Sequence, residues 1–366
     1  MNKKIPLMSI IILFVFAFSL LIPQKNASAE MVVQDLMFKQ SYTGVYDYSQ
    51  KPVYKVTMPS DGQLNLEFKR SETANWYLEL VDVASGFVID DFSTERLPGK
   101  EIRKIGLKKG SYYLKFTSGS YSEQYEFVAT YKTGGYEKEM NNTTKTAQSI
   151  SLNKTYKGSR QKYSDEDYYK FTLSKNGNVT VNLSKIPSKS FDISIINSKG
   201  DVYLDRYTDS SVYVSGTQKF YLGLPKGTYY AVINGGSSEV EYSLKIGFNP
   251  SEYYEKEFNN TKSKANSIKS GKYFNGAMQS FSDVDFYKFK VSKKKKVSLS
   301  VRRNTNTYWK VHLLNSNGTR LSYLYTKSGG AASGYEKLTK TLSKGTYYIV
   351  VEYGNKDVPY KFKVSY

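Results

Sequence analysis

Cysteine is absent from all 366 residues, and histidine occurs once, at His312. The first absence removes thiol nucleophiles, disulfides and a lipid-modified cysteine. The second leaves His312 as the one residue that could serve a Ser-His relay, with no second histidine with which to share a metal. In "WKVHLL" His312 alternates with Lys310 and Leu314, opposite Trp309, Val311 and Leu313, and reads as a surface strand residue. No GxSxG elbow or HExxH helix occurs, and the glycine pairs Gly134–Gly135, Gly235–Gly236 and Gly329–Gly330 read as loop punctuation rather than a phosphate cradle. The common catalytic constellations are therefore missing, and a carboxylate pair of the glycosidase kind is the arrangement left open. No enzymatic activity is expected.

Long apolar runs are missing too, apart from Ile10 to Ile22, which follows Lys3 and Lys4 and precedes "ASA" at Ala27 to Ala29. That run is short for a membrane span, which needs roughly 20 apolar residues. Residues 1–29 read as a secretory signal peptide cleaved before Glu30, so the mature chain is expected to be exported, with no transmembrane segment. Cleavage removes Lys3, Lys4 and Lys25 and no acid, so 53 cationic residues against 33 acids become 50 against 33, and the formal charge falls from +20 to +17. A field of that sign favours anionic partners such as cell-wall polymers, glycans or nucleic acid; a solvated surface that only maintains solubility is the alternative.

What is abundant is tyrosine, with 35 residues, beside 19 phenylalanines and many Gly, Ser, Thr and Asn, a composition suited to β-structure with turn-rich connections. "GSYY" begins at Gly110 and "GTYY" at Gly227 and Gly345; "FDISIINSKG" from Phe191 matches "WKVHLLNSNG" from Trp309 and, with one extra residue, "WYLELVDVASG" from Trp76. The chain is thus three copies of one unit, at 31–132, 136–249 and 253–366, with "TGG" (Thr133–Gly135) and "NPS" (Asn249–Ser251) as joints. Inside each copy the period is two: Leu64, Leu66 and Phe68 share a face, as do Val179, Val181 and Leu183, and Val297, Leu299 and Val301. Short alternating strands between turns such as "SKNGN" predict an all-β chain of three tandem antiparallel, jelly-roll-like β-sandwiches. The Gly-x-Tyr-Tyr strand should turn Tyr112, Leu114 and Phe116 inward, with Tyr229, Ala231, Ile233 and Tyr347, Ile349, Val351 as counterparts. Its first tyrosine is expected to anchor a sandwich corner through the hydroxyl. The second, Tyr113, Tyr230 or Tyr348, would point outward.

Against the basic background, "YEKEMNN" at Tyr136 and "YEKEFNN" at Tyr254 repeat a knot of acids and amides. Alternate residues of an extended strand lie about 6.6 Å apart on one side, so Glu137, Glu139 and Asn141 can present oxygens to one point, as can Glu255, Glu257 and Asn259. Each knot is followed by an Asp-x-Asp triplet, Asp165 with Asp167 and Asp283 with Asp285. An all-oxygen set suits a hard cation, and Ca²⁺ is the expected one in an exported protein. The alternative is a solvated linker in which Asn142 and Asn260 cap short helical turns.

The knot, the Asp-x-Asp-x-Tyr segment and the Gly-x-Tyr-Tyr strand together resemble the bacterial pre-peptidase C-terminal domain and the related collagen-binding domains of clostridial collagenases. The resemblance covers about Tyr136 to Tyr366. It implies β-sandwiches whose N-terminal segment helps to coordinate structural calcium. By motif match the ligands are Glu137, Glu139, Asn141, Asn142, Asp165 and Asp167 in copy two, and Glu255, Glu257, Asn259, Asn260, Asp283 and Asp285 in copy three. In copy one Gln50 and Pro52 stand where Asp165 and Asp167 would be, and no calcium is expected there. Such domains commonly trail secreted peptidases, whose catalytic domain has no counterpart in this sequence.

Two surface features are candidate ligand contacts. Lys293, Lys294, Lys295 and Lys296 replace the turn of copy two and should form an exposed hairpin tip, with Arg302 and Arg303 farther along the same strand. Tyr230 and Tyr348 could offer apolar platforms with a hydroxyl rim. A solvated turn and ordinary cross-strand packing are the respective alternatives. The expected function is non-catalytic attachment to an anionic cell-wall polymer, glycan or collagen-like matrix, outside the cell and in non-covalent association with the wall. An accessory or spacer subunit that presents another exported protein, such as a peptidase, is the alternative, and no specific nucleic-acid motif is present.

Overall fold

The period-two segments bury one face, and three separate cores result. Leu64, Leu66 and Phe68, then Val179, Val181 and Leu183, then Val297, Leu299 and Val301 are all buried, each set within its own cluster. This is a computed structural model that describes residues 32–366 apart from Tyr163, Val214, 236–239, Phe281, Asn306, 328–333 and Asp357. The signal segment and Gly236, Gly329 and Gly330 lie outside the described residues.

Copy one contains β1 (Val33–Leu36), β2 (Ser41–Val45), β3 (Val53–Met58), β4 (Gly62–Lys69), β5 (Trp76–Asp82), β6 (Val88–Ser93), β7 (Lys100–Leu107), β8 (Gly110–Gly119) and β9 (Gln124–Thr133). Copy two contains β10 (Gln148–Ser149), β11 (Thr155–Ser159), β12 (Asp167–Leu173), β13 (Gly177–Lys185), β14 (Asp192–Asn197), β15 (Val202–Tyr207), β16 (Gly216–Leu224), β17 (Gly227–Asn234) and β18 (Glu241–Pro250). Copy three contains β19 (Asn266–Ser267), β20 (Tyr273–Gly276), β21 (Val284–Val291), β22 (Lys295–Arg302), β23 (Lys310–Leu314), β24 (Arg320–Tyr325), β25 (Tyr335–Leu342), β26 (Gly345–Glu352) and β27 (Tyr360–Ser365). Each copy pairs a five-stranded sheet, ordered β1-β3-β8-β5-β6 in the first, with a four-stranded sheet, ordered β2-β9-β4-β7, and the other two repeat this order strand for strand. The sheets are antiparallel except that the first strand of each copy, β1, β10 or β19, runs parallel to its neighbour. No helix among the described residues is long and apolar enough to cross a membrane.

The Gly-x-Tyr-Tyr strands β8, β17 and β26 are the middle strands of the five-stranded sheets, and the nine residues expected to face inward from them are all buried. The tyrosine corner recurs in every copy. Tyr112 donates to the Lys108 carbonyl at 2.9 Å, Tyr229 to that of Pro225 at 2.9 Å and Tyr347 to that of Ser343 at 3.1 Å.

Three expectations are corrected. Tyr230 is not an exposed platform, because its middle strand sets it between Lys170 and Ile196 on the adjoining strands, and only 7% of it reaches solvent. Tyr348, in the equivalent place, is half-buried. His312 is buried rather than a surface residue, since β23 has a strand on either side and the Glu352 carboxylate closes over the ring, with Nε2 to Oε1 at 2.7 Å. Lys293 to Lys296 are largely exposed but do not form a hairpin tip, because β21 and β22 belong to different sheets; Lys293 and Lys294 lie in the crossover between them and Lys295 and Lys296 open β22.

Candidate metal centres

The knots lie at the joints between copies. β9 continues to Thr133 and β18 to Pro250, so little free chain separates one sandwich from the next. The extended knot is then stitched to both. Glu137 N–H donates to the Lys157 carbonyl on β11 at 2.7 Å, Glu139 N–H to that of Gly106 on β7 of the preceding copy at 3.0 Å, and the Asn141 carbonyl accepts from Tyr168 N–H on β12 at 3.0 Å. The second joint repeats the pattern. Glu255 donates to Asn275 at 2.9 Å, Glu257 to Gly223 of the preceding copy at 3.1 Å, and Asn259 accepts from Phe286 at 2.9 Å.

This path turns the alternating acids inward. Glu137, Glu139 and Asp167 are buried and bring one carboxylate oxygen each within 4.8 Å of the others; Glu255, Glu257 and Asp285 do the same. Glycine makes room for them. A Cβ at Gly158 would collide with Glu137 Oε2 and the Tyr242 hydroxyl, and one at Gly276 with Glu255 Oε2 and the Tyr360 hydroxyl. Gly106 and Gly223, on the preceding copies, are pressed likewise by Glu137 and Glu255.

Part of each carboxylate set is already satisfied. Glu137 Oε1 accepts from Ser159 N–H at 2.8 Å, and Asp167 Oδ2 from the Tyr242 hydroxyl at 2.6 Å. Glu255 Oε1 accepts from Ala277 N–H at 2.7 Å, and Asp285 Oδ2 from Tyr360 at 2.6 Å. The remaining oxygens Glu139 Oε1, Asn141 Oδ1 and Asp167 Oδ1 are buried without a hydrogen-bond partner, as are Glu257 Oε1, Asn259 Oδ1 and Asp285 Oδ1. Unpaired buried acceptors are costly and rare, and six in two equivalent places call for a common partner.

Electrostatics point the same way. Burial first, then Asp167 and Glu139, holds Glu137 well above the usual carboxylate range. Glu139 is raised by burial, Asp165 and Asp167, and Asp167 is pushed up to about 8 by burial and then Asp165. Glu255, Glu257 and Asp285 are raised for the same reasons, with burial the leading one in each. Three buried carboxyls must bind either protons or a cation. The spacing of the three carboxylates in each cluster, within 4.8 Å of one another, fits a cation, since two ligands on one Ca²⁺ stand at most about 5 Å apart, twice a bond of 2.3–2.6 Å. The acidic clusters can therefore hold a metal ion.

Asp165 and Asn142 sit beside this group rather than in it. Asp165 Oδ1 accepts from Asn142 Nδ2 at 3.0 Å and its Oδ2 from Gln161 N–H at 2.9 Å. Asp283 accepts from Asn260 Nδ2 at 2.9 Å and Gln279 N–H at 2.8 Å. Asn260 thus spends its side chain on Asp283, and Thr261 stands at the start of the short 3-10 turn Lys262–Lys264.

Of the tyrosines beside the clusters, Tyr169 and Tyr287 close the Asp-x-Asp-x-Tyr segments, whereas Tyr242 and Tyr360 were not singled out from the sequence. Tyr169 and Tyr242 share a hydroxyl contact of 2.7 Å and Tyr287 and Tyr360 one of 2.6 Å, and the second of each pair reaches the carboxylates. Copy one keeps this pair in Tyr54 and Tyr125 at 2.8 Å, with Pro52 two positions before Tyr54. The recurrence of Gly44, Gly158 and Gly276 just inside β2, β11 and β20 was a readable signal for the space beside it. The basic candidates are split. Lys293 to Lys296 and Arg302 with Arg303 mark opposite ends of β22, and Arg303 Nε pairs with Glu336 at 2.8 Å.

Residues 283–352 match the family model of the bacterial pre-peptidase C-terminal domain, a non-catalytic module. Among solved structures, the pre-peptidase C-terminal domain of a collagenase from Bacillus anthracis is 24% identical over 28% of this chain and 94% of its own, with a TM-score of 0.23. Two further matches are to the Sulfolobus turreted icosahedral virus, at 9% identity over 87% and 83% of the two chains with a TM-score of 0.24, and to an archaeal-virus protein with a triple jelly-roll fold, at 11% over 91% and 88% with a TM-score of 0.24.

Proposed function

Taking as premise that the third repeat matches the bacterial pre-peptidase C-terminal domain family, we propose that the chain is a secreted, non-enzymatic string of three sandwiches that attaches to an extracellular or cell-wall polymer. Two of the copies are braced by calcium. The observation that carries the calcium part is the pair of equivalent buried oxygen sets left without donors at the two joints. Glu137, Glu139, Asn141 and Asp167 hold one ion and Glu255, Glu257, Asn259 and Asp285 the other, with Asp165, Asn142, Asp283 and Asn260 supporting them. The ion supplies charge neutralisation and a fixed joint, and no bond-making chemistry is assigned to it. Copy one, with Pro52 in the aspartate position, carries no ion.

Polymer attachment is supported by the basic balance of the mature chain and by the family resemblance; multiple copies allow avidity without a strong single site. The test is co-sedimentation of residues 30–366 with purified bacterial cell walls and with insoluble collagen, at low and high salt, with calcium or chelator. Salt-sensitive pelleting with walls supports envelope attachment. Calcium-dependent, salt-resistant pelleting with collagen supports a matrix ligand. Pelleting with neither removes the polymer reading in favour of a partner subunit for another exported protein.

A further inference from the structure

The four-stranded sheets of the three copies have equivalent outer faces but different charge. In copy one Glu67 and Glu126 on this sheet pair with Lys100 and Lys69 at 2.6 and 3.3 Å. In copy two Glu241 pairs with Lys157 at 2.9 Å. In copy three Phe274, Leu299, Val301, Phe362 and Val364 turn inward, and the alternate positions bring up Lys296, Arg302, Lys337, Lys361 and Lys363 with no carboxylate among them.

Register places these side chains together. One row crosses the sheet as Tyr273, Lys363, Ser300 and Lys337; the next carries Asn275 beside Lys361 and Arg302 beside Tyr335. The rings of Tyr273 and Tyr335 meet at 5.7 Å, although their strands are the two edges of the sheet, so they arch over Ser300, which is buried. Lys361 and Lys363 each hold their ammonium 4.7 Å from the Tyr273 ring centroid. The Tyr273 phenol is lowered from its ordinary value, first by its contact with Tyr335 and then by Lys363 and Lys361. Beyond Arg302 the row opens into a hollow of about 400 Å³ lined by Asn275, Arg302, Trp309, Tyr360 and Lys361. A volume of that order accepts a ring-sized ligand.

Resting on the polymer reading above, we propose that the outer face of the β20-β27-β22-β25 sheet, with its adjoining hollow, is the docking surface for a carboxylate-bearing polysaccharide. Acid groups of the chain meet Lys361, Lys363 and Arg302, while the amide of Asn275, the tyrosine hydroxyls and Thr339 serve its sugar hydroxyls. Charge complementarity selects a polyanion. The interleaving of cations with neutral hydrogen-bonding groups and ring walls favours an acidic sugar over a phosphodiester chain of open polyols. The two basic clusters noticed in the sequence are then the ends of one surface, because β22 carries Lys296 at one end and Arg302 at the other.

The experiment measures binding of residues 30–366 to hyaluronan oligosaccharides, to carboxyl-reduced hyaluronan, to poly(glycerol phosphate) and to single-stranded DNA, by fluorescence anisotropy at two salt concentrations. The expected result is salt-sensitive binding to hyaluronan that falls about tenfold or more in a Lys361→Gln, Lys363→Gln, Arg302→Gln variant. A Lys199→Gln, Lys226→Gln variant on copy two should bind as the parent does. Calorimetric melting of each variant separates loss of contact from loss of fold. Equal binding to the carboxyl-reduced polymer, tighter binding to poly(glycerol phosphate) or DNA, or no effect of the triple substitution would each overturn the proposal. Cell-wall co-sedimentation reads the broader polymer reading independently, since a chain that pellets with walls but ignores hyaluronan retains that reading and loses this one.

Discussion

Removing the cation should make copies two and three lose stability as pH rises, in a window where soluble domains are usually flat. In the cation-free fold Asp167 titrates at about 8, with Glu137 and Glu139 also raised, whereas the unfolded chain releases these protons near pH 4. The folded state therefore binds more protons than the unfolded one between these limits, and stability falls as pH rises through them. One retained proton per cluster gives a slope of about 1.4 kcal/mol per pH unit. For a domain of roughly 100 residues, where 1 kcal/mol moves the melting temperature by about 4 °C or more, that is at least about 5 °C per unit. Calcium displaces the proton and should abolish the slope. Scanning calorimetry of residues 30–366 between about pH 5.5 and 7.5, in chelator and in millimolar calcium, measures both slopes. Melting temperatures in chelator that do not move with pH, or that fall equally with calcium present, would refute the account of the clusters.

Calcium at tenfold excess over its dissociation constant should add about 1.4 kcal/mol to copies two and three and nothing to copy one, which fragments of each copy, melted with and without calcium, will reveal. Gly158→Ala pushes a methyl group into Glu137 and Tyr242; it should cost about 1–3 kcal/mol and remove the calcium response of copy two while sparing copy three, as read by isothermal titration. Tyr229→Phe deletes the corner bond to Pro225 and is expected to lower the stability of copy two by about 1 kcal/mol in urea unfolding. Arg103→Met takes from the buried Asp90 a bidentate partner at 2.8 and 2.9 Å; the expected loss is about 3–5 kcal/mol, and a loss below about 1 kcal/mol would show that the pair is dispensable.

The repeat, the strand faces and the tyrosine corners were legible because each depends on local alternation or on recurrence. Leu64, Val179 and Val297 announce their face within six residues of chain. The gathering of Glu137, Glu139 and Asp167 was legible in part, since two of the three lie on one extended segment. What was not legible depends on distant strands. Tyr242 stands 105 residues from Glu137, and nothing local marks it as a neighbour of the cluster. Alternation gave Tyr230 and His312 the correct face but not what covers them, because cover comes from the strands on either side. The lysine run reads as a hairpin in sequence because period-two patterning does not say which sheet the next strand will join.

The bonds from Glu139 to Gly106 and from Glu257 to Gly223 have a consequence for how such arrays can be cut. β7 and β16 are outermost strands, and a bare outermost strand invites pairing with another molecule. Each is occupied by the heptapeptide that sequence alignment assigns to the next copy, and Ser159 adds a bond from its hydroxyl to the Lys104 carbonyl on β7 at 2.8 Å. The unit that repeats in sequence and the unit that is sealed in space are therefore out of phase by one joint. A fragment ending at residue 132 keeps every fully buried core residue of copy one yet loses Met140 from the edge of that core and leaves β7 open to self-association, whereas one extended through residue 142 retains Met140 and the Glu139 bond to Gly106.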